Sequence, residues 1–170
     1  MDFAVTDRQG LVVEMLEPAE IFVVCAARIY RALSEQTGPP SLCLCRIFNA
    51  AGISGALQTF AFFQSALVSD PERGFVAEDR GSRIVSEHEV RLLRTIARWQ
   101  RTPWNPPELA LDFVTAAATR RIAAPAGHAF SLEMASVGLW VRPHEPEPAQ
   151  TRGRHSIFSR DISKELKHVH

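Results

Sequence analysis

The chain has 170 residues, of which 46% are hydrophobic and 22% charged, a composition that excludes wholesale disorder and fits one globular domain. Nineteen basic residues balance nineteen acidic ones, so no overall field attracts nucleic acid and electrostatic binding depends on local patches. The first residues lack the basic and apolar regions of a secretory signal, and three cysteines cannot all pair. We therefore expect a cytoplasmic protein with reduced thiols.

The N-terminal region contains one ambiguous segment and one clear helix. Residues 3–16 combine a capping-box spacing with an apolar triplet, residues 11–13, that fits a short strand. A helix begins at Pro18, a residue favoured at the first helical position. Its apolar residues recur at helical spacing: Phe22, Cys25, Ala26, Ile29 and Leu33. The glycine and two prolines at 38–40 end it.

Residues 42–68 hold a single charged residue, Arg46, and are long enough to raise the question of a membrane span. Polar residues within the stretch, such as Asn49 and Gln58, argue against a helix surrounded by lipid. We therefore expect a central buried helix. Its small residues would allow close approach of a neighbour, and the glycines at 52 and 55 mark a place where it could break.

The clearest helix signal follows a polar connection over residues 69–85. Ser86 and Glu89 have capping-box spacing, and apolar residues occupy one side of the helix predicted over 87–101. Its other side carries four arginines within an arc of about 80°, which we call the arginine stripe: Arg91, Arg94, Arg98 and Arg101. Glu87 can pair with Arg91 at i, i+4, and we expect no acidic partner within the helix for the other three.

Two more helices and a tail are predicted for the C-terminal part. Asn105 caps a helix that runs to about Ile122, where a proline three residues later would end it. Residues 127–142 have helical spacing, although residues 139–141 also fit a strand. Residues 143–170 are rich in proline, histidine and charge, which predicts a flexible tail.

Together these elements predict an all-α fold. We expect a single-domain bundle of about five helices over residues 1–142, built around a central buried helix, with room for a short strand at either end. Acidic residues outnumber arginines in residues 1–40, whereas arginines outnumber acidic residues in 73–101. These two regions are expected to face each other.

No motif for catalysis, metal binding or a cofactor is present. Cys43 and Cys45 would lie about 200° apart on a helix and could not share a metal there, so we expect buried thiols instead. The nucleophile elbow, the Walker A motif and the dinucleotide-binding motif are all missing. The sequence favours a non-enzymatic protein with neither metal nor cofactor, although a site assembled from distant residues would leave no such spacing.

Three functional classes remain. We favour a regulatory or accessory subunit, or a homo-oligomer, that binds its partner through the arginine stripe: Arg91, Arg94, Arg98 and Arg101. The first alternative is a nucleic-acid-binding regulator, in which arginines contact phosphates while Trp99 and Trp104 stack on bases. The second is a sensory domain in which residues 42–68 line a pocket for a hydrophobic ligand, with Cys43, Cys45 or His88 as an attachment point.

Overall fold

A computed structural model of the chain describes residues 11–34, 42–70, 74–103, 105–111, 113–114 and 116–144. These residues form five α-helices: α1 (Pro18–Ser34), α2 (Leu42–Ala50), α3 (Leu57–Val68), α4 (Glu87–Arg101) and α5 (Ala117–Ser136). Three short 3₁₀ turns accompany them: Val13–Met15, Ser54–Ala56 and Pro107–Ala110. The predicted all-α bundle of five helices is confirmed. Among the described residues, every helix is too short or too polar to cross a membrane.

Aromatic side chains fill the centre of the bundle, where α5 packs along α3 and α4. The ring centroids of Phe60 on α3 and Phe130 on α5 lie 5.1 Å apart, and those of Phe63 and Trp99 lie 5.7 Å apart. A Cβ atom added to Gly127 would lie 2.6 Å from Trp99 and 2.7 Å from Phe63. The glycine therefore allows α5 to approach both rings closely.

Helix α1 begins at Pro18, as predicted, and the residues after Ser34 that were expected to end it lie outside the described part. The expectation of buried thiols is wrong, because Cys25 and Cys43 are exposed and Cys45 is half-buried. On α2 the core-facing residues are Leu44 and Phe48, at i and i+4, so residues one position away point about 100° aside. Cys25 likewise lies opposite the buried side of α1.

The single helix expected over residues 42–68 is two helices. Gly52 has a φ of +75°, a left-handed conformation that glycine adopts readily, and it ends α2 at the predicted break. Both helices bury one side, which on α3 carries Phe60, Phe63 and Leu67, whereas Phe62 is 55% exposed. The segment therefore contributes one face of each helix to the core rather than a helix that is buried all round.

The prediction of one continuous helix from Asn105 to about Ile122 is wrong. Residues 107–110 form a 3₁₀ turn, and α5 starts only at Ala117 and continues through Pro125. Side chains of α4 hold the turn, since Thr95 Oγ1 lies 3.1 Å from the Ala110 carbonyl oxygen and Trp99 Nε1 donates to the Pro107 carbonyl at 2.9 Å. Pro125 is exposed, and the contacts of the neighbouring buried residues outweigh its local cost.

Helix α5 ends before Gly138, whose φ is +85°. Leu139 N–H donates to the Met134 carbonyl at 2.9 Å, a Schellman-type end. The following residues, 139–144, form neither helix nor strand; we call them the C-terminal strap. Near the N-terminus, the predicted strand amounts to one isolated bridge between Val12 and Ile84.

Candidate functional site

Helix α4 presents a core side and a charged side. Both capping-box bonds are present: Ser86 Oγ accepts from the Glu89 N–H at 3.2 Å, and the Glu89 carboxylate accepts from the Ser86 N–H at 2.9 Å. The core side is buried, and its members include Leu92, Ile96 and Trp99. The arginine stripe lies opposite, so the predicted orientation of this helix is confirmed.

A buried ion pair fixes α4 against α1. Arg28 Nε lies 2.7 Å from Glu89 Oε1 and Arg28 Nη2 lies 2.9 Å from Glu89 Oε2, a bidentate contact between side chains that are 4% and 0% exposed. The hydrogen bond to Glu89 raises the pKa of Arg28 above its ordinary value, so the guanidinium remains charged. Bidentate geometry of this kind compensates the cost of burying both charges.

The same guanidinium holds the connection between α3 and α4. Arg28 donates to the carbonyl of Ser82 at 2.5 Å and to that of Ile84 at 2.6 Å. The expected pairing between the acidic N-terminal region and the basic middle occurs at Arg83 and Glu14, whose atoms lie 2.6 Å apart. The deeper pair has the opposite polarity, because Arg28 comes from the acidic region and Glu89 from the basic one.

The C-terminal strap is fixed by two buried polar side chains. Gln100 Nε2 donates to the Leu139 carbonyl at 2.8 Å, and Gln100 Oε1 accepts from the Val141 N–H at 2.9 Å. Glu20, fully buried on α1, accepts from Arg142 through its backbone N–H at 3.1 Å and through Nη2 at 2.7 Å. The contacts of Gln100 span about forty positions, and those of Glu20 with Arg142 span 122.

Glu20 remains ionised because its neighbours outweigh its burial. Burial by itself raises the pKa of this carboxyl group, but hydrogen bonds from Arg142 and Glu17 and the nearby His144 lower it to about 2. His144 Nε2 lies 3.1 Å from Glu20 Oε1, so the end of the strap also contacts this carboxylate. The described fold thus extends to His144, two residues into the predicted tail; residues 145–170 lie outside the described part.

Two adjoining clefts flank the arginine stripe, and both include Arg94 and Arg98; we call them together the arginine trough. The first lies between α4 and the strap and has a volume of about 360 Å³. It is lined by Arg94, Ala97, Arg98, Arg101, Thr102, Pro143 and His144. The second lies towards the segment after the 3₁₀ turn, with about 530 Å³. It is lined by Glu87, Arg91, Arg94, Thr95, Arg98, Ala110 and Phe113.

Carbonyl and carboxylate oxygens orient the four guanidinium groups. The predicted pair is present, with Arg91 Nε 2.9 Å from Glu87 Oε1. The expectation that Arg94 has no acidic partner in the helix is wrong, since its Nη1 lies 3.9 Å from the same carboxylate, two turns away. Arg94 Nε also donates to the His144 carbonyl at 2.6 Å, which joins the stripe to the strap.

The other two arginines contact backbone carbonyls. Arg98 Nη1 lies 3.3 Å from the Leu109 carbonyl oxygen, and Arg101 Nη1 donates to that of Ala97 at 2.9 Å. A guanidinium has five N–H donors in a planar fork, so a contact through one of them is compatible with binding an anion along another edge. All four groups of the stripe therefore lie along one trough, with neighbours that restrain them.

The hydroxyl and imidazole groups of the trough are engaged within the protein. Thr95 and Thr102 each donate to a carbonyl one turn earlier in α4, and His144 contacts Glu20, so none is positioned as an activated nucleophile with its base. No group of three metal-ligating side chains occurs among the described residues. Guanidinium groups bind carboxylates and phosphates through paired hydrogen bonds.

The structure also bears on the residues named for the alternative functions. Trp99 is only 2% exposed and its indole N–H is bonded to a carbonyl, so it cannot stack on a base; Trp104 lies outside the described residues. His88 Nδ1 accepts from the Val76 N–H at 3.0 Å. Cys43 is exposed on α2, whereas an attachment point inside an apolar pocket would be enclosed.

The sequence identified the stripe but missed the walls of its trough. The strap and the 3₁₀ turn at Pro107–Ala110 reach α4 through contacts between distant positions, such as Arg94 with His144 and Arg98 with Leu109. Neither contact can be recognised from the spacing of residues in the sequence. Comparison of the chain with protein-family models, with curated proteins and with solved structures gives no match. Its function is therefore inferred from the trough itself.

Proposed function

We propose that this protein is a non-enzymatic regulatory or accessory protein, and that the arginine trough is the surface through which it binds a partner protein. One observation carries the proposal: four arginines line two adjoining clefts that share Arg94 and Arg98. Because a guanidinium binds a carboxylate through two parallel hydrogen bonds, the partner presents Asp or Glu side chains. Arginine is also enriched at protein interfaces.

Three features favour a protein partner over nucleic acid. The walls of the trough include apolar groups from Ala110, Phe113 and Pro143, which a peptide can cover and a phosphodiester backbone cannot. The burial of Trp99 removes the base-stacking contact that would accompany phosphate binding. The net charge of zero also provides no long-range attraction for a polyanion.

We place this activity in the cytoplasm. The three thiols of Cys25, Cys43 and Cys45 are unpaired, and the first two are exposed to solvent. Exposed unpaired thiols are typical of a reducing compartment and become oxidised outside it.

The test compares partner capture by three forms of the full-length protein: wild type, Arg94→Glu with Arg98→Glu, and Arg120→Glu with Arg121→Glu. Both double variants change the net charge equally, but the second pair lies on α5 and lines neither cleft. Proteins from native lysate are quantified by mass spectrometry. We expect wild type and the α5 variant to retain the same protein and the stripe variant to lose it; equal retention by all three contradicts the proposal.

Self-association is measured in the same variants. Light scattering coupled to size-exclusion chromatography reports the mass of each form in solution. If the partner is a second copy of this chain, wild type is a dimer or larger and the stripe variant is a monomer. If the partner is another protein, the mass is equal in all three forms.

A further inference from the structure

The spacing of the stripe sets a distance rule for its ligand. With a rise of about 1.5 Å per residue, Arg91 and Arg101 lie about 15 Å apart along α4, and Arg94 and Arg98 about 6 Å. In an extended peptide, every second side chain points to the same side at intervals of about 6.7 Å. Three such side chains therefore cover the length of the stripe.

Resting on the function proposed above, we infer that the trough binds an extended segment of the partner protein in which an acidic residue occupies every second position. The middle carboxylate lies between Arg94 and Arg98, the two arginines that both clefts share. The outer two carboxylates reach Arg91 and Arg101. Each meets guanidinium N–H groups, whose hydrogen bonds to a carboxylate are charge-assisted.

The walls suit the backbone and the remaining side chains of such a segment. On one side Pro143 and His144 are fixed by Glu20 and Arg94, so this wall is preformed. On the other side Phe113 is half-buried and contributes an apolar surface. Binding to preformed walls avoids the entropic cost of ordering them on association.

The experiment uses the full-length protein and two fluorescein-labelled peptides of equal composition, Glu-Ala-Glu-Ala-Glu and Ala-Glu-Glu-Glu-Ala. Fluorescence anisotropy at low and at physiological salt gives the two dissociation constants. We expect the alternating peptide to bind about tenfold more tightly, because the block of adjacent glutamates misplaces at least one charge-assisted contact. Arg94→Glu with Arg98→Glu abolishes this difference, whereas Arg120→Glu with Arg121→Glu leaves it unchanged.

Three results overturn the inference. Equal affinities for the two peptides would mean that the trough recognises the charge of the peptide and not the spacing of its glutamates. Tighter binding of a single-stranded oligonucleotide of equal charge would identify a phosphate site. Binding that appears only after Glu145→Gln with Glu147→Gln would identify the chain's own glutamates as the occupant. In each case, partner capture is measured as well. If capture still depends on the arginine stripe, the proposed function holds and only the inference of an extended acidic segment fails.

Discussion

The two sides of α4 use the same pair of charged groups, guanidinium and carboxylate, with different consequences. On the core side, Arg28 and Glu89 are buried and bidentate, and the pair joins α1, α4 and the connection that precedes α4. On the outer side, the arginines lie in contact with water, where an ion pair such as Arg91 with Glu87 contributes at most about 1 kcal/mol. Burial therefore decides which charges determine the fold and which contribute little to its stability.

The largest effect is expected from breaking the core-side pair. Glu89→Gln leaves the Arg28 guanidinium buried without its counter-charge and is expected to lower the free energy of unfolding by about 3 kcal/mol. Glu87→Gln is the matched control, since it makes the same change at an exposed position of the first turn and should cost less than about 0.5 kcal/mol. Urea denaturation followed by circular dichroism measures both; similar losses would refute the comparison.

The second prediction concerns the buried carboxylate that fixes the strap. The pKa of Glu20 is about 2 in the folded protein and near 4.5 when unfolded, so its stabilisation is complete above pH 4.5 and is lost as pH falls through 2. At neutral pH, Glu20→Gln should lower the free energy of unfolding by about 2–3 kcal/mol. The difference from wild type should narrow between pH 4.5 and 2 in urea melts. A constant difference over that range would mean that Glu20 does not gain its proton there and would contradict the prediction.

Overpacking the core side of α4 should lower the free energy of unfolding by about 1–3 kcal/mol. Gly127→Ala improves helix propensity, yet its Cβ would lie 2.6 Å from Trp99, so we expect net destabilisation. Gly55→Ala is the control, because its new Cβ would have only one neighbour, 3.9 Å away. Thermal melts of both variants are compared with wild type. Stabilisation of Gly127→Ala would show that the aromatic packing is looser than described.

The smallest effect on stability is expected from the outer side. Arg101→Ala removes an exposed side chain whose contact is with a carbonyl of its own helix, and it should change the free energy of unfolding by less than about 0.5 kcal/mol. The same variant should weaken binding of the alternating peptide several-fold. A large loss of stability with unchanged binding would reverse the roles assigned to the two sides of α4.

Much of α4 was predictable because its signals are local. The capping box joins Ser86 to Glu89, and the i, i+4 pair joins Glu87 to Arg91. The start of α1 at Pro18 and the break at Gly52 also depend on the conformational preferences of single residues. Each of these features involves residues within one turn, so the sequence is sufficient to place it.

The errors occurred where long-range packing overrides a local preference. Pro125 predicted a helix end, but α5 continues through it because Gly127 and its buried neighbours pack against α3 and α4. Asn105 predicted the start of a long helix, but α4 side chains bind the carbonyls of the following 3₁₀ turn. The burial expected for Cys25 failed because the helical period admits more than one assignment of the buried side.

The sequence by itself determined the helices with strong local signals, the two sides of α4 and the presence of four arginines on one of them. Only the tertiary structure decided that Arg28 pairs with Glu89, 61 residues away, that Glu20 holds Arg142, 122 residues away, and that the strap forms a wall beside the stripe. The physical reason is that caps and helical periods involve neighbours in sequence, whereas clefts and buried ion pairs require distant segments to meet in the folded core.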